Sequence, residues 1–404
     1  MRAVKTSINS SSQVSTPVVN KEFHFYGSPI KIPIEASIQW PNHDISTLKL
    51  LQVIHKHGER SPMSWTPNDP YHDIKYWPEG LGELTAKGKY QMYKIGQFIR
   101  NEYKTYFGDN ISPRDVYARS AASSRSSESC SALLAGAFPP TQQQWQWDVG
   151  NDTQLAHVWQ PIAIETFLPE KDDLVCNEAR HCKAVNDETT RIYSQSVVKE
   201  FEAKYKDLYD KLTKGVGSKI DDIWSAFDLY DTLSAELDNN YFWDKTWTKN
   251  EETDFVKQLY YSALNGQKWD YDSPIIKQLR TGGLVNETNG NFQKVVDNKN
   301  TKKIYIYSTY GAHVSALMQA LNVFDDVIPP NGATLLFELH TKDKSSDYFV
   351  RIFYLNSGSP QPGTPVPLIF KDCNNQTDCK LEKYFQSNQH LLFKESQFDT
   401  LCKN

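Results

Sequence analysis

The sequence predicts an α/β fold: a three-layer core around a mainly parallel sheet, with a helical cap inserted into it. Three observations carry this. Toward both ends of the chain, short β-rich apolar runs are each followed by a helix-period pattern. Between them, residues 140–275 change to charged, helical text with clustered aromatics. The length, 404 residues, and the 39% hydrophobic content suffice for a large core with an elaboration.

In chain order, residues 1–45 form an N-terminal extension. It is Ser- and Pro-containing, with one aromatic patch, "FHFYGSPIKIPI", expected to dock on the body through a short strand. The core is assigned to 46–139 and 276–404, and the cap to 140–275. Residues 47–55 are a β-rich apolar run suited to a buried parallel strand. Residues 84–103 place Tyr90, Ile95, Phe98, Ile99 and Tyr103 at roughly helical spacing, with Thr85 as N-cap. "DVYARS" (115–120) reads as a second strand and 122–138 as a second helix. "KKIYIYS" (302–308) reads as a third strand, and "SALMQALNVF" (315–324) as a third helix. "TLLFELH" and "YFVRIFYL" alternate as an antiparallel pair. In the cap, "VVKEFEAKYKDLYDKL" is helical and "NNYFWDKTWT" gathers aromatics.

Net charge is −5 and the pI about 6.1, so no broad basic face suits nucleic acid. No run approaches the 18 apolar residues of a membrane span. Six cysteines, at 130, 176, 182, 373, 379 and 402, lack zinc-ribbon spacing. An even count fits three disulfides in an oxidising compartment, and six cysteines permit 15 pairings. Asn9, Asn110, Asn151, Asn286 and Asn375 each begin an Asn-x-Ser/Thr sequon. Together these features favour a secreted glycoprotein. "MRAVKTSINSSS" has no apolar signal core, and the expectation is that a signal has been removed.

The chemistry sits where strands end. After the first strand come Lys56, His57 and Arg60, in "HKHGERSP". After the second comes Arg119, with Arg125 beyond it. After the third come Tyr310 and His313. Ligands of open α/β sheets bind outside the carboxyl ends of the strands. If these strands are parallel neighbours, two imidazoles and several cations meet there. Arginine forks match phosphate and carboxylate oxygens. A histidine among cations stays neutral and nucleophilic, which suits a phosphohistidine. Plainer readings apply to three residues: His55 is a packed histidine, Arg119 alone a salt-bridge partner, and Arg125 a surface charge. The run Trp224, Phe227, Asp228, Tyr230 and Asp231 reads as an amphipathic cap helix and is assigned no site.

These motifs resemble the histidine acid phosphatases, in particular the prostatic/lysosomal-like branch. "HKHGERSP" is similar to that family's "RHGxRxP" signature, "VYARS" to the segment of its third phosphate-binding arginine, and "YGAHVSAL" to its "SAHD" segment. "WPEGLGELTAKG", "LFELH" and "CNNQTDCKLEKY" extend the resemblance over roughly 45–404. It implies the histidine phosphatase fold with its cap, no metal and no cofactor. It also implies His57 at the nucleophile position, Arg60 and Arg119 as phosphate ligands and His313 as a further contact. The disulfides it implies are Cys373–Cys379 and Cys182–Cys402, leaving Cys130–Cys176.

Two residues depart from the family pattern. Lys56 stands where the family has arginine, and Val314 stands at the position of the aspartate that protonates the leaving alkoxide. Loss of a general acid costs about 10²–10⁴-fold. Lysine keeps the charge and loses the two-pronged grip. Glu59, at a variable position of the signature, is not expected to substitute for the acid. Valine is expected to make the pocket floor apolar. Salivary proteins of blood-feeding insects that resemble this chain are associated with sequestering biogenic amines and leukotrienes. The resemblance therefore implies a disabled, secreted binding protein. The alternative is a slow acid phosphatase acting on phosphate esters through His57.

Overall fold

A computed structural model describes residues 22–25, 28–31, 43–108, 111–140, 146–148, 153, 155–172, 174–175, 182–241, 252–342, 347–357 and 362–403. The chain divides into two compact units, Met1–Asn42 and His43–Asn404. In the first, β1 (Glu22–Phe25) and β2 (Ser28–Lys31) pair antiparallel, so the aromatic patch forms a hairpin rather than one strand. Residues 43–45 of the extension belong to the second unit. Apart from these and the hairpin strands, the extension, on which the expected docking rests, lies outside the described residues.

The second unit opens with β3 (Leu48–Lys56), a run of Leu, Val and Ile whose apolar side chains are all buried. α1 (Ala86–Glu102) follows, and the Thr85 side chain caps it by accepting from Gly88 N–H at 3.1 Å. A short α2 (Lys104–Phe107) leads to β4 (Val116–Ser120) and then to α3 (Ser124–Ala137), capped by Ser123. After α4 (Leu155–Val158) and the two-residue β5 (Glu165–Thr166) come four helices. These are α5 (Lys183–Tyr193), α6 (Ser196–Val216), α7 (Ile223–Asp238) and α8 (Glu252–Asp270). Leu208, Leu212, Val216, Leu229, Leu233 and Leu259 give the last three a small core of their own. Most of the aromatic cluster "NNYFWDKTWT", residues 242–248, lies outside the described residues.

α9 (Pro274–Val296) brings the chain back to β6 (Ile304–Thr309) and α10 (Gly311–Ala320). α10 starts four residues before the sequence expectation. The helix begins directly after the strand, at Tyr310, so "GAHV" forms its first turn. It stops near Asn322, whose φ of 57° is left-handed. The chain continues through β7 (Thr334–Thr341), β8 (Tyr348–Leu355), β9 (Val366–Pro367) and β10 (Cys379–Lys380). It ends with α11 (Leu381–Asn388) and α12 (Glu395–Lys403).

The main sheet has eight strands in the order β10-β8-β7-β3-β6-β4-β5, with β9 beside β8. It is mixed: β3, β6, β4 and β5 run parallel, while β7 joins β3 antiparallel and pairs with β8. On the antiparallel side lies a buried polar knot. The Glu338 carboxylate accepts from His43 at 2.6 Å, His340 at 2.9 Å and the Tyr103 hydroxyl at 2.5 Å. Among the described residues no helix is long and apolar enough to cross a membrane.

Cys182–Cys402 and Cys373–Cys379 are bonded, as the resemblance implies. Among the described residues Cys130 has no disulfide partner. Cys130 is a free thiol on the inner face of α3, fully buried, and burial pushes it up to about 12. Cys176 lies outside the described residues.

Candidate functional site

The three strands read from the sequence are parallel neighbours, with β6 between β3 and β4. Lys56 pairs with Thr309 and Ser120 with Ser308, so the strand ends stand level and their loops open on one side. The loop after β3 is held rigidly. His57 N–H donates to the Thr309 carbonyl at 3.2 Å, and the His57 carbonyl accepts from Gly332 at 2.8 Å. Gly58 N–H donates to Ser129 Oγ at 2.9 Å and Glu59 N–H to Gln91 Oε1 at 3.0 Å. Backbone packs on backbone here: a Cβ at Gly88 would overlap the Glu59 carbonyl.

His57 is 3% exposed. Burial, then the charges of Arg60 and Lys56, hold its imidazole well below the usual histidine range, so it is neutral. Its Nδ1 lies 2.8 Å from the Gly58 carbonyl, which can only accept. The proton therefore sits on Nδ1, and Nε2 carries the free lone pair. His313, fully buried, lies in the first turn of α10. Tyr310 presents its ring to His57 edge-on at 6.5 Å. His55 is a packed histidine, fully buried and lowered to about 4 by burial.

The cations are all engaged. Lys56 Nζ donates to the Pro329 carbonyl at 3.1 Å, and its stem lies against Gly311. Burial, then Arg60, lowers it to about 8. Arg60 grips Asp231 of α7 with one nitrogen on both carboxylate oxygens, at 2.8 and 2.9 Å. Its other terminal nitrogen donates to the Ser61 carbonyl at 3.0 Å, while its buried Nε has no acceptor among the described residues. Arg119 donates to Asp172 at 2.8 Å and stacks over the Phe167 ring at 4.2 Å. Asp172 is fully buried and also accepts from Leu174 and Val175 N–H. Both expected phosphate ligands therefore hold carboxylates of this chain.

Arg125 is not the surface charge expected. It is partly buried, lies over the Tyr310 ring at 5.0 Å and is among the charges acting on His57. Glu59 does not face the reacting position. Its carboxylate accepts from Thr85 Oγ1 and Asn239 Nδ2, joining the N-terminus of α1 to the end of α7. Val314 exposes no surface, so it does not form the expected apolar floor. It belongs to the main apolar cluster with Leu50, Ile54 and Val175.

Sequence reasoning missed Asp231 and Asp172. Asp231 belonged to a run singled out as aromatic and acidic. Its signal was that Phe227 and Asp231 stand one helical turn apart, on one face. Nothing local marked Asp172. Among the described residues no cluster of His, Cys, Asp and Glu could hold a metal.

Residues 47–355 match the Histidine phosphatase superfamily (branch 2). Human prostatic acid phosphatase is 30% identical over 83% of this chain and 83% of its own length. The venom acid phosphatase of Apis mellifera is 28% identical, over 88% of this chain and 90% of its own. A phytase from Citrobacter braakii, 14% identical, shares the fold with a TM-score of 0.64 over 86% of this chain and 98% of that one. A loop carrying His57 after β3, level with His313 after β6 and with Arg119 on β4, is thus explained by common descent. The chain belongs to branch 2 of the histidine phosphatase superfamily.

Proposed function

We propose that this chain is a secreted, catalytically disabled acid-phosphatase-like protein. It sequesters small host mediators, biogenic amines such as serotonin or leukotrienes, at the former active site. The observation that carries this reading is the Arg60–Asp231 pair. A phosphate dianion arriving at Arg60 must displace a carboxylate already held by two short hydrogen bonds. The same carboxylate has its side chain 29% exposed, and it suits a ligand ammonium. Val314 adds to this, since valine at the proton-donor position cannot protonate a leaving alkoxide. Two disulfides fit an oxidising compartment.

Isothermal titration with serotonin and with a leukotriene is the direct test. One ligand per chain at micromolar affinity or better is expected, with no turnover of alkyl phosphates. Failure of every amine and eicosanoid to bind folded protein would remove the reading.

One observation favours the slow phosphatase instead: His57 is neutral with Nε2 free, the state a nucleophile requires. p-Nitrophenyl phosphate separates the two, because its leaving group barely needs an acid. Turnover of it, with alkyl phosphates untouched, would indicate a working nucleophile that lacks only its proton donor.

A further inference from the structure

α7 turns an acidic face to the strand ends. Asp228, Asp231 and Asp238 recur at the helical period, and Asp231 and Asp238 both act on the Lys56 ammonium. Opposite them stand Lys56, Arg60 and Arg125. A direct ion pair, Arg60 with Asp231, joins the two faces. The pair is lopsided: the Arg60 side chain is 10% exposed and that of Asp231 29%. Behind it, the buried Nε groups of Arg60 and Arg125 have no acceptor among the described residues. A buried donor without an acceptor carries a desolvation cost that a bound anion relieves.

We propose that Asp231 determines specificity by making the site amphoteric: an ammonium on Asp231 and an anion on Arg60 and Arg125 bind together, each replacing one half of the internal pair. This rests on the reading that amines bind at the former active site. When the site is empty, cation and anion satisfy each other. An amine alone competes with Arg60 for the carboxylate and leaves a buried guanidinium short of a counter-charge. An anion alone competes with Asp231 for the guanidinium and strands a carboxylate. When both bind, every charge regains a partner, so each lowers the cost of the other. Binding linkage makes the effect reciprocal. The best single occupant is a zwitterion with an ammonium and an acidic group spaced to split the pair.

Calorimetry with serotonin and inorganic phosphate tests this, with ionic strength held constant by sodium chloride. Phosphate should tighten serotonin binding about five- to tenfold, and serotonin should tighten phosphate binding by the same factor. Asp231→Asn should weaken serotonin, strengthen phosphate and abolish the coupling. If Asp231→Asn does not fold, the reciprocal measurement on the unaltered protein decides. Serotonin binding that phosphate leaves unchanged or weakens would overturn the coupling while leaving the sequestering function standing. No serotonin binding with or without phosphate would remove the coupling together with serotonin as a ligand, and leave the leukotriene arm of the sequestering function to its own titration.

Discussion

His57 carries its proton on Nδ1, facing the Gly58 carbonyl, and three cations surround the ring. Protonating it would add a fourth positive charge to a buried position. The ring should therefore stay neutral from pH 5 to 8, with no titration of its nitrogen shifts in that range by NMR. A midpoint near 6.5 would mean that the cations do not act on it. Lys56 and Val314 make a second prediction. Lys56→Arg should raise turnover of p-nitrophenyl phosphate in steady-state kinetics, whereas Val314→Asp, which puts a carboxylate into the apolar cluster, should lower the thermal midpoint and leave alkyl phosphates untouched. A Lys56→Arg variant that binds phosphate and gains nothing would place the defect elsewhere, with the Asp231 lock on Arg60 first in line. At this scale the sequence marked His57, Arg60, Arg119 and Val314, because each stands inside a short motif. It could not reveal their counter-ions. Asp231 lies 171 residues from Arg60 and Asp172 lies 53 from Arg119, so only the folded chain brings them together.

Elements are held to one another by a few polar ties and some close approaches. α7 is attached to the loop after β3 and to α1 through Asp231–Arg60, Thr232 to the Ser64 carbonyl and Asn239–Glu59. α1 and α3 cross at Gly96 and Gly136, where an added Cβ would overlap the facing backbone. Strands, helices and the Thr85 cap were legible as apolar periods and end signals. The early start of α10 was not, because "YGAH" has no capping side chain. The Glu338 knot joins β7 to α1 and, through His340 and Thr47, to the start of β3. Burial opposes its ionisation, yet hydrogen bonds from His340 and His43 bring its carboxyl down to about 2. A folded value below the ordinary 4.5 stabilises the fold above pH 4.5, and this contribution is lost as pH falls through about 2. Glu338→Gln should therefore destabilise the protein by about 3 kcal/mol near neutral pH. Urea unfolding should show that difference shrinking toward pH 2, and a difference constant with pH would mean that charge is not its source.

Over the whole molecule, Cys182–Cys402 closes a loop across 220 positions, fastening α12 to the start of α5. Chain entropy gives such a closure a ceiling of about 5 kcal/mol. Cys402→Ser should lower the thermal midpoint by several degrees, while loss of the short Cys373–Cys379 loop should cost less. Equal shifts in the two variants, followed by circular dichroism, would mean that loop length is not what matters. The sheet order has a further consequence, in biosynthesis. β3 is made early, yet its partners β6 and β7 come from the last third of the chain. At roughly 5–20 residues per second, the roughly 250 residues between Leu51 and Ile304 take on the order of ten seconds to a minute to emerge. For that time "LKLLQVI" is an unpaired apolar edge, and the cell's folding machinery must shield it until translation is nearly complete.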